Sequence, residues 1–192
     1  GGKYLSIDSQ LGMPSRASDR TYSFWYKAKT MEDGGEWVLF THGYSASKSE
    51  IDIHYYRIGS TYTLSWEDSN TGASSGGGRF YIRKQLTADT WYHFVWVRAS
   101  GVLYGYLDGV LQGQTFITDT TGATTTNDKF VIGQLARTEH DRNIDGIVDD
   151  FAVFNRALTA QEISNIYNGV TTPADTTAPT GSLSINSGAS YT

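Results

Sequence analysis

Residues 146–163 read GIVDDFAVFNRALTAQEI, and the hydrophobic period changes within them. Val148 to Phe154 alternates as a half-buried strand does, with Phe151 and Val153 as core positions. From Ala157 onward the spacing is helical. Thr159 and Glu162 form a T-x-x-E capping box, Ile163, Ile166 and Tyr167 share a face, and Gly169 stops the helix. A strand running straight into a short capped helix therefore closes the chain's main domain, and Ala160 to Asn168 is its only sizeable predicted helix.

Upstream of this segment the pattern is β throughout. Alternating runs occur at Lys3 to Asp8, Tyr22 to Ala28, Trp37 to Thr41, Ile51 to Arg57, Tyr62 to Glu67, Phe80 to Lys84, Trp91 to Arg98, Leu103 to Leu107 and Phe130 to Gly133. The 13 Tyr, 8 Phe, 5 Trp and 21 Gly suit half-buried strands joined by tight turns. With 192 residues and 39% hydrophobic content the chain can bury one substantial core. Twenty acidic against 15 basic residues, dispersed along the chain, give no basic stripe for nucleic acid and no polybasic segment for anionic lipid. No apolar run approaches a bilayer-spanning length, and the absence of cysteine excludes disulfides, thiolate metal sites and a cysteine nucleophile.

The closing segment resembles that of laminin-G-like jelly-roll domains of the concanavalin-A-like lectin and glucanase superfamily, which read roughly G-x-I-D-[DE]-V-x-I-[YF]-N-R-A-L-[ST]-x-x-E-I. Tyr22-Ser-Phe-Trp25, Trp91-Tyr-His-Phe-Val95, Tyr106-Leu-Asp-Gly109 and Phe130-Val-Ile-Gly133 fall in the family's order. The resemblance implies an all-β, two-sheet antiparallel jelly-roll sandwich over residues 1–170, with one short C-terminal helix and with Trp25 in or near the core. It covers lectins, adhesion modules and glycosidases alike, so it speaks to fold before ligand.

Asp141-x-Asn143-x-Asp145-Gly146 matches the start of an EF-hand type calcium loop, with Ile147 and Asp149 at the seventh and ninth places. Ala152 stands at the twelfth place, where the bidentate acid belongs, and strands replace the flanking helices, so a true EF-hand is excluded. The bland alternative is a solvated polar turn. Asp149 and Asp150 point to opposite faces of a strand, and the core positions of Phe151 and Val153 put Asp149 on the core-facing side, where a carboxylate needs a partner or a cation. The resemblance also implies a structural calcium near this place. The expected Ca2+ ligands are Asp149 and Asp150 with oxygens of Asp141, Asn143 and Asp145.

Glu50-Ile-Asp-Ile-His54 is the one enzymatic hook. Glucanases of the superfamily carry E-x-D-x-E, whose first and last acids act as nucleophile and acid/base; here the last acid is His54, so the carboxylate pair of a retaining glycosidase is lost. His93 is expected to be a packed, hydrogen-bonded histidine, and no G-x-S-x-G elbow supports a triad. Binding remains. Glu50, Asp52, His54 and Tyr56 form the outward set of one strand, Tyr81 and Arg83 alternate with Phe80 and Ile82, and Tyr104 and Tyr106 lie on another strand. On one sheet these would place aromatic rings beside hydrogen-bonding groups, a surface suited to sugars. The loops at 31–36 and 69–78 would lie at the sandwich ends, where binding loops are often carried.

Residues 171–179 are rich in threonine and proline and read as a linker, and residues 180–192 resemble the first strand of a bacterial immunoglobulin-like repeat. The expectation is a calcium-stabilised, non-catalytic lectin module, monomeric within a larger bacterial surface adhesin, that binds cell-surface glycans outside the cell. A protein- or peptide-binding adhesion module, or a spacer, is the alternative on the same fold; a degenerate glycoside hydrolase is the third.

Overall fold

A computed structural model describes residues 5–7, 18–29, 36–44, 49–58, 61–69, 78–117, 130–133 and 146–170. Its strands in chain order are β1 (Leu5–Ile7), β2 (Arg20–Ala28), β3 (Glu36–Tyr44), β4 (Ser49–Ile58), β5 (Thr61–Ser69), β6 (Gly78–Arg83), β7 (Trp91–Ala99), β8 (Val102–Leu107), β9 (Val110–Phe116), β10 (Phe130–Ile132) and β11 (Gly146–Phe154), followed by helix α1 (Ala160–Tyr167). They form two antiparallel sheets, one of six strands in the order β1-β10-β3-β4-β5-β6 and one of five in the order β11-β2-β7-β8-β9. This is the expected sandwich. The anticipated linker at 171–179, the strand at 180–192 and the loop at 31–35 lie outside the described residues.

The core between the sheets is unusually aromatic. Tyr22, Phe24 and Tyr26 of β2 meet Phe40 of β3, Trp66 of β5, Phe94 and Trp96 of β7 and Phe130 of β10. Phe24 stacks on Phe94 at 5.5 Å, Trp66 on Phe80 at 5.2 Å, and Tyr22 lies edge-on to Trp96 at 5.7 Å. Such ring pairs contribute about 0.5–1.5 kcal/mol each beyond the apolar area they bury. Close approach of the sheets requires Gly105 on β8: a Cβ there would lie 2.4 Å from Phe80 and 2.6 Å from Trp66.

A second, smaller core lies on the other face of the five-stranded sheet. Ile163 and Ile166 of α1, with Leu158 and Phe154, cover Val95, Val97 and Tyr106. The helix begins as its sequence requires: the Glu162 amide donates to Thr159 Oγ1 at 3.2 Å, and the Thr159 amide donates to Glu162 Oε2 at 2.7 Å. Arg156 also grips Glu162 at 2.6 Å, which with the cap bonds holds that carboxyl down at about 2. Gly169, at φ 65°, ends the helix.

Two differences from the sequence reading concern strands. β9 was not among the expected runs; it follows an Asp108-Gly109 turn with φ 52° and 75°, the left-handed pair of a tight hairpin. β11 is not a simple alternating strand: its register against β2 shifts between Asp149 and Ala152, and Asp150 has φ 47°. That is a β-bulge. Val148, Phe151 and Val153 all pack on the core, so the core side skips two residues once and Asp149 falls on the outer face beside Trp25.

Candidate functional site

The outer face of the six-stranded sheet carries most of the predicted ligand residues. Ile51, Ile53 and Tyr55 of β4 point into the core, which turns Asp52, His54 and Tyr56 outward. The same alternation turns Thr63, Ser65 and Glu67 of β5 outward, because Leu64 and Trp66 are core residues, and Arg79, Tyr81 and Arg83 of β6, because Phe80 and Ile82 pack inward. Register then aligns them in rows across the strands: Thr41, Asp52, Glu67 and Arg79; His54, Ser65 and Tyr81; Tyr56, Thr63 and Arg83.

Within this face the charged groups are deeply set. Asp52, His54 and Glu67 are 2%, 6% and 7% exposed, whereas Tyr81 is 60% exposed. His54 Nε2 lies 3.1 Å from Asp52 Oδ2. Arg79 clamps Glu67 through both oxygens, Nε to Oε1 and Nη2 to Oε2, each at 2.6 Å. Burial and then the adjacent Asp52 charge push the Glu67 carboxyl up to about 7, against the pull of His54 and Arg79. Asp52 Oδ1 and Ser65 Oγ are buried with no hydrogen-bond partner among the described residues. One carboxylate oxygen and one hydroxyl thus sit beneath a rim of Tyr81, Arg79 and Arg83. The loss of an acid at position 54 does not leave the face with one carboxylate, since Glu67 stands opposite Asp52 on the next strand; both its oxygens, however, are engaged by Arg79.

Tyr104 and Tyr106 are not part of this face. They lie on β8 of the other sheet, and they pack in the small core that α1 covers. The alternation was read correctly, but it cannot say which sheet a strand joins or that a helix will lie across it. Glu50 pairs through its backbone with Gly43 and Ser69, and its side chain falls outside the described residues. Glu67, Ser65 and Arg79 were missed.

On the outer face of the five-stranded sheet, Trp25 and Trp91 with Asp149 and Asp150 line a pocket of about 260 Å³. Trp25, expected in or near the core, lies near it and outside the inter-sheet cluster: its neighbours Phe24 and Tyr26 take the inward positions. Its ring packs on His93 at 5.0 Å and stacks on Tyr167 of α1 at 5.6 Å. His93 is the buried, hydrogen-bonded histidine anticipated, with Nε2 2.8 Å from Ser23 Oγ and with desolvation lowering its pKa to about 4. Asp149 and Asp150 are exposed, and the Asp150 amide donates to Asp149 Oδ1 at 2.8 Å. The burial argument for a cation at Asp149 thus fails because of the bulge. No group of three or more acidic or histidine side chains able to hold a metal occurs among the described residues; Asp141, Asn143 and Asp145 lie outside them.

The same sandwich recurs among known structures. A heptameric SAP-like pentraxin from Limulus polyphemus superimposes with a TM-score of 0.61 at 18% identity, over 85% of this chain and 75% of its own. The binding domain of botulinum neurotoxin DC, solved with rat synaptotagmin II, gives 0.63 at 12% identity. Botulinum neurotoxin type C, whose cell entry depends on interaction with two ganglioside molecules, gives 0.65 at 14%. Each toxin match covers 88% of this chain but only 40% of the toxin chain, so these likenesses speak to fold. A comparison with curated protein sequences found no match. The sequence itself carries the laminin-G-type pattern over residues 1–164, the span that builds both sheets and leads into α1, and the chain belongs to the concanavalin A-like lectin/glucanases superfamily.

Proposed function

We propose that this chain is a non-catalytic carbohydrate-binding module that holds glycans against the outer face of the six-stranded sheet. The observation that carries the reading is the pairing of exposed Tyr81 with the buried, unpartnered Asp52 Oδ1 and Ser65 Oγ in adjoining rows. A sugar ring stacks its C–H face on tyrosine and offers hydroxyls to acceptors and guanidinium groups. The ganglioside dependence of a toxin with the same fold supports a glycan partner. Working as a monomeric unit of a bacterial surface adhesin, outside the cell, belongs to the same proposal and rests on the sequence of the flanking segments.

A glycan array tests it. Binding to a defined glycan class that Tyr81→Ala and Arg83→Ala each weaken, with the fold intact by dichroism, is the expected result. Silence on all glycans, with capture by a protein ligand, would replace the lectin by a protein-binding adhesion module. Hydrolysis of a β-glucan that disappears in Glu67→Gln would make the face catalytic.

Calcium is proposed only as a structural ion at the entry to β11, held by Asp149, Asp150 and oxygens of Asp141, Asn143 and Asp145. Its support is now the spacing of those oxygens alone. A ligand that binds only the folded state stabilises it by RT ln(1 + [L]/Kd), about 2.7 kcal/mol at a hundredfold excess over Kd. Chelation should then lower Tm by several degrees, and Asp149→Asn should remove most of the difference; coincident melting curves with calcium and with chelator refute the ion.

A further inference from the structure

We infer that the Trp25–Trp91 pocket is a second binding site, distinct from the glycan face, and that it takes the guanidinium group of an arginine side chain presented by a partner protein. Its walls decide the ligand. His93 and Tyr167 both pack on Trp25, at 5.0 and 5.6 Å, yet their own ring centres are only 6.1 Å apart. They are too close to lie on opposite sides of the indole, so one face of Trp25 is backed by a rigid stack and the other is left to the pocket that Trp25 helps to line. Trp91 stands diagonally across β2 and β7. Lys27 already places its ammonium 5.2 Å from the centre of that ring, which shows the indole in use as a cation acceptor.

The polar wall is negative. Asp149 and Asp150 share the pocket with the two rings, and neither makes an ion pair with a basic side chain among the described residues. Asp149 Oδ1 is occupied by the Asp150 amide, which fixes that carboxylate; among the described residues its second oxygen and both oxygens of Asp150 are left as acceptors, for which arginine competes with the calcium ion proposed above. Two carboxylates beside two indoles best match a cation with several donors and a flat face. A guanidinium brings five N–H groups in a planar fork and stacks on aromatic rings. A quaternary ammonium has no donor for the carboxylates, and a neutral sugar gains nothing from their charge. Because the carboxylates are exposed, the affinity for one side chain is modest and the site acts as one contact within a larger protein interface.

The test is a titration of the whole chain with N-acetyl-arginine amide, in chelator to keep calcium off the aspartates, following the indole N–H resonances of Trp25 and Trp91. Saturable shifts of both, stronger than with N-acetyl-lysine amide, are expected. Asp150→Asn should weaken binding about fivefold, the loss of one exposed charge contact, and Lys27→Met should tighten it by removing a competing positive charge. No saturation at concentrations on the order of 10 mM, equal shifts in wild type and Asp150→Asn, or equal shifts with a methyl glycoside would each overturn the site. Tyr81→Ala should leave the arginine titration unchanged and Trp91→Ala should leave glycan binding unchanged, so failure of one site is separable from failure of the other.

Discussion

Glu67 offers the sharpest test of the electrostatics on the glycan face. Its carboxyl is raised from 4.5 to about 7, first by desolvation and then by Asp52. At about 1.36 kcal/mol per unit, that is a penalty of about 3 kcal/mol on the ionised form. The folded protein therefore binds more protons than the unfolded chain between pH 4.5 and 7. The stability Glu67 contributes is fully present below 4.5 and is lost as pH rises through 7. Two substitutions move the midpoint in opposite directions. Asp52→Asn removes the adjacent charge and should lower it by about one unit, while Arg79→Met removes the clamping guanidinium and should raise it. The assay is a carboxyl carbon NMR titration, paired with urea unfolding at several pH values. A wild-type midpoint near 4.5, or an Asp52→Asn midpoint at or above that of wild type, would refute the account of this face.

Elsewhere, Asp68 is fully buried on the core side, 3.4 Å from the buried Arg98 guanidinium; Asp68→Asn takes the carboxylate out of this buried ion pair and should cost about 3–5 kcal/mol in urea unfolding. His42, hydrogen-bonded to Tyr22 at 2.6 Å, is held down at about 4 by desolvation and by Arg20. The folded state thus resists protonation between pH 6.5 and 4, so its contribution, about 3 kcal/mol, should be present above 6.5 and lost as pH falls through 4; an unfolding free energy in which His42→Gln leaves the slope over that window unchanged refutes it. Gly105→Ala forces a Cβ against Phe80 and Trp66 and should destabilise by about 1–3 kcal/mol, measured as a lower denaturation midpoint.

What the sequence disclosed follows from what alternation encodes. Ile51 and Ile53 alternate without interruption with Asp52 and His54, so the outward set of β4 was legible, as was that of β6 from Phe80 and Ile82. Glu67 was not, because facing residues on neighbouring strands depend on register. The signal was available: only Gly59 and Ser60 separate β4 from β5, and a two-residue connection that pairs Ile58 with Thr61 necessarily sets Asp52 opposite Glu67. Arg79 follows from the next register in the same way, but no short turn announces it. β9 was overlooked because Gly113 and two glutamines dilute its alternation, although Asp108-Gly109 marks the hairpin that leads to it. Tyr104 and Tyr106 show the opposite failure. Their outward direction was readable, while their cover by α1 depends on where the helix docks.

The bulge in β11 connects these threads. Core residues at 148, 151 and 153 cannot all face one way on a regular strand, since the first spacing is three and the second two; one extra residue must be accommodated between Val148 and Phe151. Aspartate tolerates the left-handed conformation that such an insertion demands, and Asp150 adopts it at φ 47°. The Asp150 amide, turned out of the ladder, finds its acceptor in Asp149 Oδ1. The double aspartate therefore solves a backbone problem first, and in doing so carries both carboxylates to the outer surface beside Trp25 and Trp91. A regular strand would have buried Asp149 against the core and left the indoles only one of the two carboxylates. The apolar spacing of β11, rather than the density of acids around it, is what places a negative, aromatic-walled pocket at this edge of the sandwich.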